Sequence, residues 1–179
     1  MRAEHGVSAG KARTATSSLI QLGGSAGPSI LAGALILYRH RWLAGVAALP
    51  AAVLLLLGSV RARAERSRVG SFSECMADRI FDGAILVPLA WLSRNGSDVV
   101  AFLALVALGA SYLASYERAK GESLGYRGSE GLGYRSARLA LLVLALLTGW
   151  IQGALWAFVI LTVAASAVRG WNVARQERR

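Results

Sequence analysis

The chain has 179 residues, 55% of them hydrophobic and only 17% charged, yet its formal net charge is +10. Mean hydropathy is +0.47 and the pI about 11.0. Long uncharged runs separated by basic connections exclude a nucleic-acid-binding domain and a soluble core, and describe a polytopic membrane protein with basic cytoplasmic loops. A single cysteine, Cys75, excludes a disulfide framework and reads as a packed thiol.

Residues 1–17 are polar and rich in Ser, Thr and Ala, without the apolar core of a cleavable signal. The first span is expected over Ser18 to Tyr38, where Gly23, Gly24, Gly27 and Gly33 suit close helix packing and Pro28 suggests a kink. Arg39-His40-Arg41-Trp42 follows as a short turn with an interfacial Trp and a solvated His40. Trp42 to Val60 gives 19 uncharged residues for a second span, ending in the basic run Arg61, Arg63, Arg66 and Arg68.

The third span is unusual. Only 11 uncharged residues, Gly83 to Ser93, precede Arg94. A helix rising about 1.5 Å per residue needs about 20 residues to cross about 30 Å of hydrocarbon. The helix must therefore draw in the segment from about Glu74, with Trp91 near its outer end. Glu74, Asp78 and Asp82 then fall at i, i+4 and i+8 on one face. Three carboxylates in or beside a bilayer are costly and mark a candidate site in a polar cavity.

Val99 to Tyr116 reads as the fourth span, capped by Asp98. A long polar loop, Glu117 to Arg138, follows; it holds Arg118, Lys120, Arg127, Arg135 and Arg138 and five glycines. Its glycines are loop glycines rather than a phosphate fingerprint, since no strand precedes them. Leu139 to Val168 contains 30 uncharged residues, about 45 Å as one helix, so a break at Thr148 to Gly153 is expected to give two spans. The fold class expected is all-α with six transmembrane helices over residues 18–171 and a basic tail over 172–179. With both termini inside, the cytoplasmic side carries 16 Lys and Arg and the outer side three, Arg39, Arg41 and Arg94. A transporter would need a polar path, and the outer halves of these spans are almost wholly apolar.

Acids and bases thus gather at the cytoplasmic ends of spans two to four. Carboxylates there can hold a divalent metal or act as a base, and arginines can position a phosphorylated acceptor. Gly70, Glu74, Asp78 and Arg79, with Ser111 to Tyr126 and the Arg135 to Leu139 stretch R-S-A-R-L, resemble the CDP-alcohol phosphatidyltransferase family. The likeness is greatest to its actinobacterial phosphatidylinositol-phosphate synthase-like members, and strongest between residues 61 and 139. That family's signature is D-x-x-D-G-x-x-A-R, eight residues, then G-x-x-x-D-x-x-x-D.

The resemblance implies a six-span membrane enzyme, a homodimer, that displaces CMP from a CDP-linked donor with an alcohol, using Mg²⁺ or Mn²⁺. It assigns metal binding to Glu74 and Asp78, the base to Asp78, and substrate contacts to Arg61, Gly70, Arg118, Lys120, Arg135 and Arg138. Arg79 and Asp82 would line the site. The first half of the signature is absent: counting back from Gly70 puts Arg61 on the motif arginine but Val53 and Leu56 on the first two aspartates. A shift by one residue puts Gly58 on the motif glycine and still supplies no acid. Two readings follow. One is a phospholipid-synthesis transferase with weakened or lost activity. The other is a non-catalytic membrane subunit that binds lipid or a partner, its acids paired with Arg79, Arg61 or Arg118.

Overall fold

The computed structural model describes residues 20, 22–65, 68–126 and 132–177. The segment 1–17 and the side chains of Arg63, Arg66, Arg68 and Arg127 lie outside that description. Six helices run through the described residues: α1 (Leu22–Leu37), α2 (Arg41–Glu65), α3 (Arg68–Ser93), α4 (Asp98–Ser123), α5 (Leu132–Thr148) and α6 (Ile151–Glu177). No strand occurs among them, as expected for an all-α chain.

Three helices are long and apolar enough to cross a membrane, over Arg41–Arg61, Asp98–Ser123 and Ile151–Gln176. The others fall short for separate reasons. The apolar stretch of α1 is short, α3 carries the carboxylate face, and α5 has only 17 residues.

α2 shows how composition sets the packing. Its buried positions are mostly small (Ala44, Gly45, Ala48, Ala51, Ala52, Gly58 and Ser59), while Trp42, Val46, Leu49, Val53, Leu57 and Val60 point outward. Small residues inside let backbones approach, and large apolar ones outside suit acyl chains. The same arrangement brings α1 onto α3, where a Cβ on Gly33 would collide with the Ala84 carbonyl. Gly23 and Gly27 face open space, so only part of the expected glycine stripe is used for packing.

Five helices close a ring in which α2 packs on α3 and α5, α3 on α4, α4 on α6, and α6 on α5. Phe81, Ile85 and Leu86 of α3, Ala104 and Ala107 of α4, Leu142 and Leu146 of α5, and Leu155 and Phe158 of α6 fill the interior.

Several boundaries differ from the sequence reading. α2 continues past Val60 to Glu65, and α3 begins at Arg68, before Glu74. The cap of α4 is Ser97, whose hydroxyl accepts from the Val100 amide, and Asp98 lies in the first turn beside the positive end of the helix dipole.

The loop expected from Glu117 to Arg138 is mostly helix. α4 runs on to Ser123, helped by the Arg118–Glu122 pair one turn apart at 3.9 Å. It ends where Gly125 takes φ 84° and the amides of Gly125 and Tyr126 bond back to Glu122 and Gly121. α5 opens at Leu132, so Arg135 and Arg138 sit in its first turns. α6 likewise carries helix through the expected tail to Glu177. The expected C-terminal break is present: Gly149 takes φ 83° between α5 and α6, with the Arg41 guanidinium where its side chain would be.

Candidate functional site

The inward face of α3 carries Glu74, Asp78 and Asp82, and burial deepens along it. Glu74 is half-buried, Asp78 is 8% exposed and Asp82 1%. The i, i+4, i+8 spacing does what it predicts, since Phe72, before the row, and Met76 and Ile80, within it, take the outward positions.

Opposite this row, Arg135 of α5 reaches across the ring. Its Nε and NH2 donate to Asp78 Oδ1 at 3.1 and 2.7 Å, and its NH1 pairs with Glu74 Oε1. The planar guanidinium fork thus bridges two carboxylates one helical turn apart, a geometry that a lysine ammonium does not reproduce. One turn further on, Arg138 NH2 pairs with Asp82 Oδ2.

Asp82 holds two cations. Arg79, three residues earlier on α3, places NH2 at 3.3 Å from the same Oδ2. Ser111 of α4, fully buried, completes the knot. Its hydroxyl donates to Asp82 Oδ2 and accepts from Arg79, while Arg138 NH2 lies 3.1 Å away. Arg79 NH1 also donates to the Ser111 carbonyl. Aromatic rings flank the cations: Tyr112 is 5.6 Å from Arg79, and Tyr134 and Phe158 are 5.5 and 5.1 Å from Arg138. Asp82 Oδ1, Arg79 Nε and Arg138 Nε are buried with no hydrogen-bond partner among the described residues.

The remaining candidates lie apart from the knot. Gly70 is buried near the start of α3, its carbonyl accepting from Ser73. Arg61 is exposed on the last turns of α2. Of the counter-ions considered for the acids, Arg79 is present at the row, while the fork on Glu74 and Asp78 comes from Arg135. Arg118 pairs with Glu122 on its own helix.

A cavity of about 280 Å³ opens between the C-terminal halves of α4 and α6, lined by Arg118, Lys120, Tyr126, Ser166 and Arg169 among others. Arg169 NH1 donates to the Ala114 carbonyl at 2.5 Å and lies 3.6 Å from Glu117 Oε2. Sequence reasoning counted Arg169 as tail charge and passed over Ser111. Position alone gives neither away.

A divalent metal is implied by the family resemblance, and the described residues do not fit one. No three metal-ligating side chains of the His, Cys, Asp or Glu types come together among them. Each carboxylate of the row already faces a guanidinium. At the positions of the two absent motif aspartates, Val53 points outward at 52% exposed and Leu56 is half-buried.

Comparison with known proteins returns phosphatidylinositol phosphate synthases. That of Corynebacterium glutamicum is 33% identical over 126 residues, covering 65% of this chain and 58% of that protein. That of Mycobacteroides abscessus is 27% identical over 165 residues, covering 86% and 75%. That of Mycolicibacterium smegmatis is 28% identical over 133 residues, covering 72% and 60%. The chain thus spans less than two thirds of the Corynebacterium glutamicum relative's length. No family model and no solved structure matches. The chain is thus similar to actinobacterial phosphatidylinositol phosphate synthases, in line with the resemblance to the CDP-alcohol phosphatidyltransferase family read from its residues.

Proposed function

We propose that the chain is a CDP-alcohol phosphatidyltransferase-like protein of phospholipid synthesis, embedded through all six helices with both termini cytoplasmic, and slow or inactive in transfer. The supporting observation is the α3 row itself. The family's retained acids Glu74 and Asp78 stand in the right helix, but both are engaged by Arg135. In the family scheme Asp78 would serve as base and, with Glu74, would hold Mg²⁺ or Mn²⁺. A base must be able to take a proton from a bound alcohol. Here Asp78 Oδ1 accepts two bonds from one guanidinium, which opposes that role.

The cavity between α4 and α6, whose three cations outnumber its two glutamates, Glu117 and Glu122, suits a phosphate-bearing acceptor or lipid head group. Arg118, Lys120 and Arg169 line it from α4 and α6, with apolar surface around them. Arg61 and Gly70 remain proposed contacts for a CDP-linked donor. The protein works as a homodimer in the membrane and binds no nucleic acid, its basic charge being spent on topology and anionic head groups.

A second reading is supported by the charge balance of the buried knot. A non-catalytic subunit that binds lipid or a partner protein has no use for a metal, and three acids against three arginines hold its helices together without one. The catalytic reading is tested in a transfer assay with purified protein, radiolabelled CDP-diacylglycerol, Mg²⁺ or Mn²⁺ and a panel of alcohol acceptors. Little or no labelled product is expected. Robust product that Asp78→Asn abolishes would establish the catalytic reading.

A further inference from the structure

Glu74, Asp78 and Asp82 bring three negative charges to the inner face of α3, and Arg79, Arg135 and Arg138 bring three positive ones to the same volume. We propose that the guanidinium groups of Arg135 and Arg138 are the resident cations of this site, occupying the carboxylate oxygens that a divalent metal would need. The inference rests on the phosphatidyltransferase-like reading only for the choice of metal. It makes the carboxylate row a structural clasp between α3, α4 and α5.

Geometry and charge both carry it. Mg²⁺ requires near-octahedral oxygen at about 2.0–2.1 Å and gives up its own water reluctantly. A protein that captures it must offer free carboxylate oxygen. Here one oxygen of each acid, Glu74 Oε1, Asp78 Oδ1 and Asp82 Oδ2, faces a guanidinium nitrogen, so a metal reaching any of the three carboxylates meets a cation already there.

Asp82 Oδ1 is buried without a hydrogen bond among the described residues, but Arg79 and Arg138 both lie on its carboxylate. A dication placed there would enter a cluster already neutral and meet two monocations at close range, where the low dielectric magnifies the repulsion. Arginine cannot shed its proton to make room. Displacing Arg135 would leave a buried guanidinium without its two acids, and breaking one side of a buried pair is strongly destabilising.

The clasp also explains how helices that are not ring neighbours are tied. α3 packs on α2 and α4, and α5 on α2 and α6. The Arg135 and Arg138 side chains span the interior between them, and Ser111 joins α4 to the same knot.

Mn²⁺ titration of the full chain in lipid nanodiscs, followed by electron paramagnetic resonance, tests the proposal without reference to transfer. Unmodified protein is expected to bind no more Mn²⁺ than empty nanodiscs up to millimolar ion, and Mg²⁺ is expected to leave its unfolding midpoint unchanged. Arg135→Gln releases Glu74 and Asp78 from their shared fork and should raise Mn²⁺ affinity by about tenfold or more. That gain should vanish in Arg135→Gln with Asp78→Asn.

Mn²⁺ binding by the unmodified protein that Asp78→Asn or Asp82→Asn removes would overturn the proposal. So would a folded Arg135→Gln protein with no gain. Where Arg135→Gln does not fold, the titration of the unmodified protein decides alone. Metal binding without transfer would overturn this inference and spare the proposed function. Transfer without metal binding would do the reverse.

Discussion

Ser111 is the smallest residue of the buried knot and touches the most of it. Its hydroxyl meets Asp82, Arg79 and Arg138 at once, and its carbonyl takes a second bond from Arg79. Ser111→Ala keeps the carbonyl contact but leaves the buried Asp82 and the two cations short of a partner. The expected cost is about 1–3 kcal/mol, read as a lower midpoint in a denaturant titration of the reconstituted protein. A change within about 0.5 kcal/mol would mean that the hydroxyl is not part of the clasp. At this scale the sequence was half legible. The spacing of Glu74, Asp78 and Asp82 revealed their shared face, because helical period alone decides it. Their partners were not readable, because Arg135, Arg138 and Ser111 come from other helices and only the tertiary arrangement brings them to α3.

Among the elements, the expected polar loop after α4 shrank most, and the reason is local. Glu117 to Ser123 reads as polar, yet Glu117, Arg118, Ala119, Lys120 and Glu122 are strong helix formers, and only Gly125 supplies the left-handed turn that stops them. The α1–α2 connection closes by the same type of turn on a less suitable residue. Arg39 takes φ 63°, and the amides of Arg39 and His40 bond back to Ile36 and Leu35. Glycine tells a second story at this scale. In α1 only Gly33 sits against backbone, at the Ala84 carbonyl, while Gly23 and Gly27 have open space where a Cβ would stand. Gly33→Ala should cost about 1–3 kcal/mol, because the neighbouring α3 backbone cannot move aside. Gly23→Ala should be neutral or slightly stabilising, since alanine is the better helix residue. Equal effects at the two positions would contradict the close α1–α3 approach. The sequence showed the glycines but not which of them the bundle uses.

For the whole molecule, six helices were legible from uncharged runs and the C-terminal break, while apolar length alone marks three of them as spans. α3 fails that measure for the same reason that makes it interesting: its charges are paid for inside the ring by counter-ions on α3 and α5. The 16-to-three division of Lys and Arg leads to the expectation that both termini are cytoplasmic. With Cys75 replaced, a cysteine introduced at Arg175 should resist an impermeant thiol reagent added outside and react once the membrane is opened. Labelling from outside would reverse the orientation or change the number of spans. The central claim is that a phosphatidyltransferase-like bundle has its acids committed to arginines and lacks the first two motif acids, since Trp42 to Val60 contains no acid in either register. Each tenfold fall in rate corresponds to about 1.4 kcal/mol of barrier, so the loss of two metal ligands is expected to lower transfer by several powers of ten. The most direct test is the initial rate of CMP release from CDP-diacylglycerol, measured for this chain beside the Corynebacterium glutamicum phosphatidylinositol phosphate synthase with the same acceptors and millimolar Mg²⁺ or Mn²⁺. The account predicts a rate at or near background for this chain with every acceptor; a rate comparable to that relative's, lost in Asp78→Asn, would contradict it.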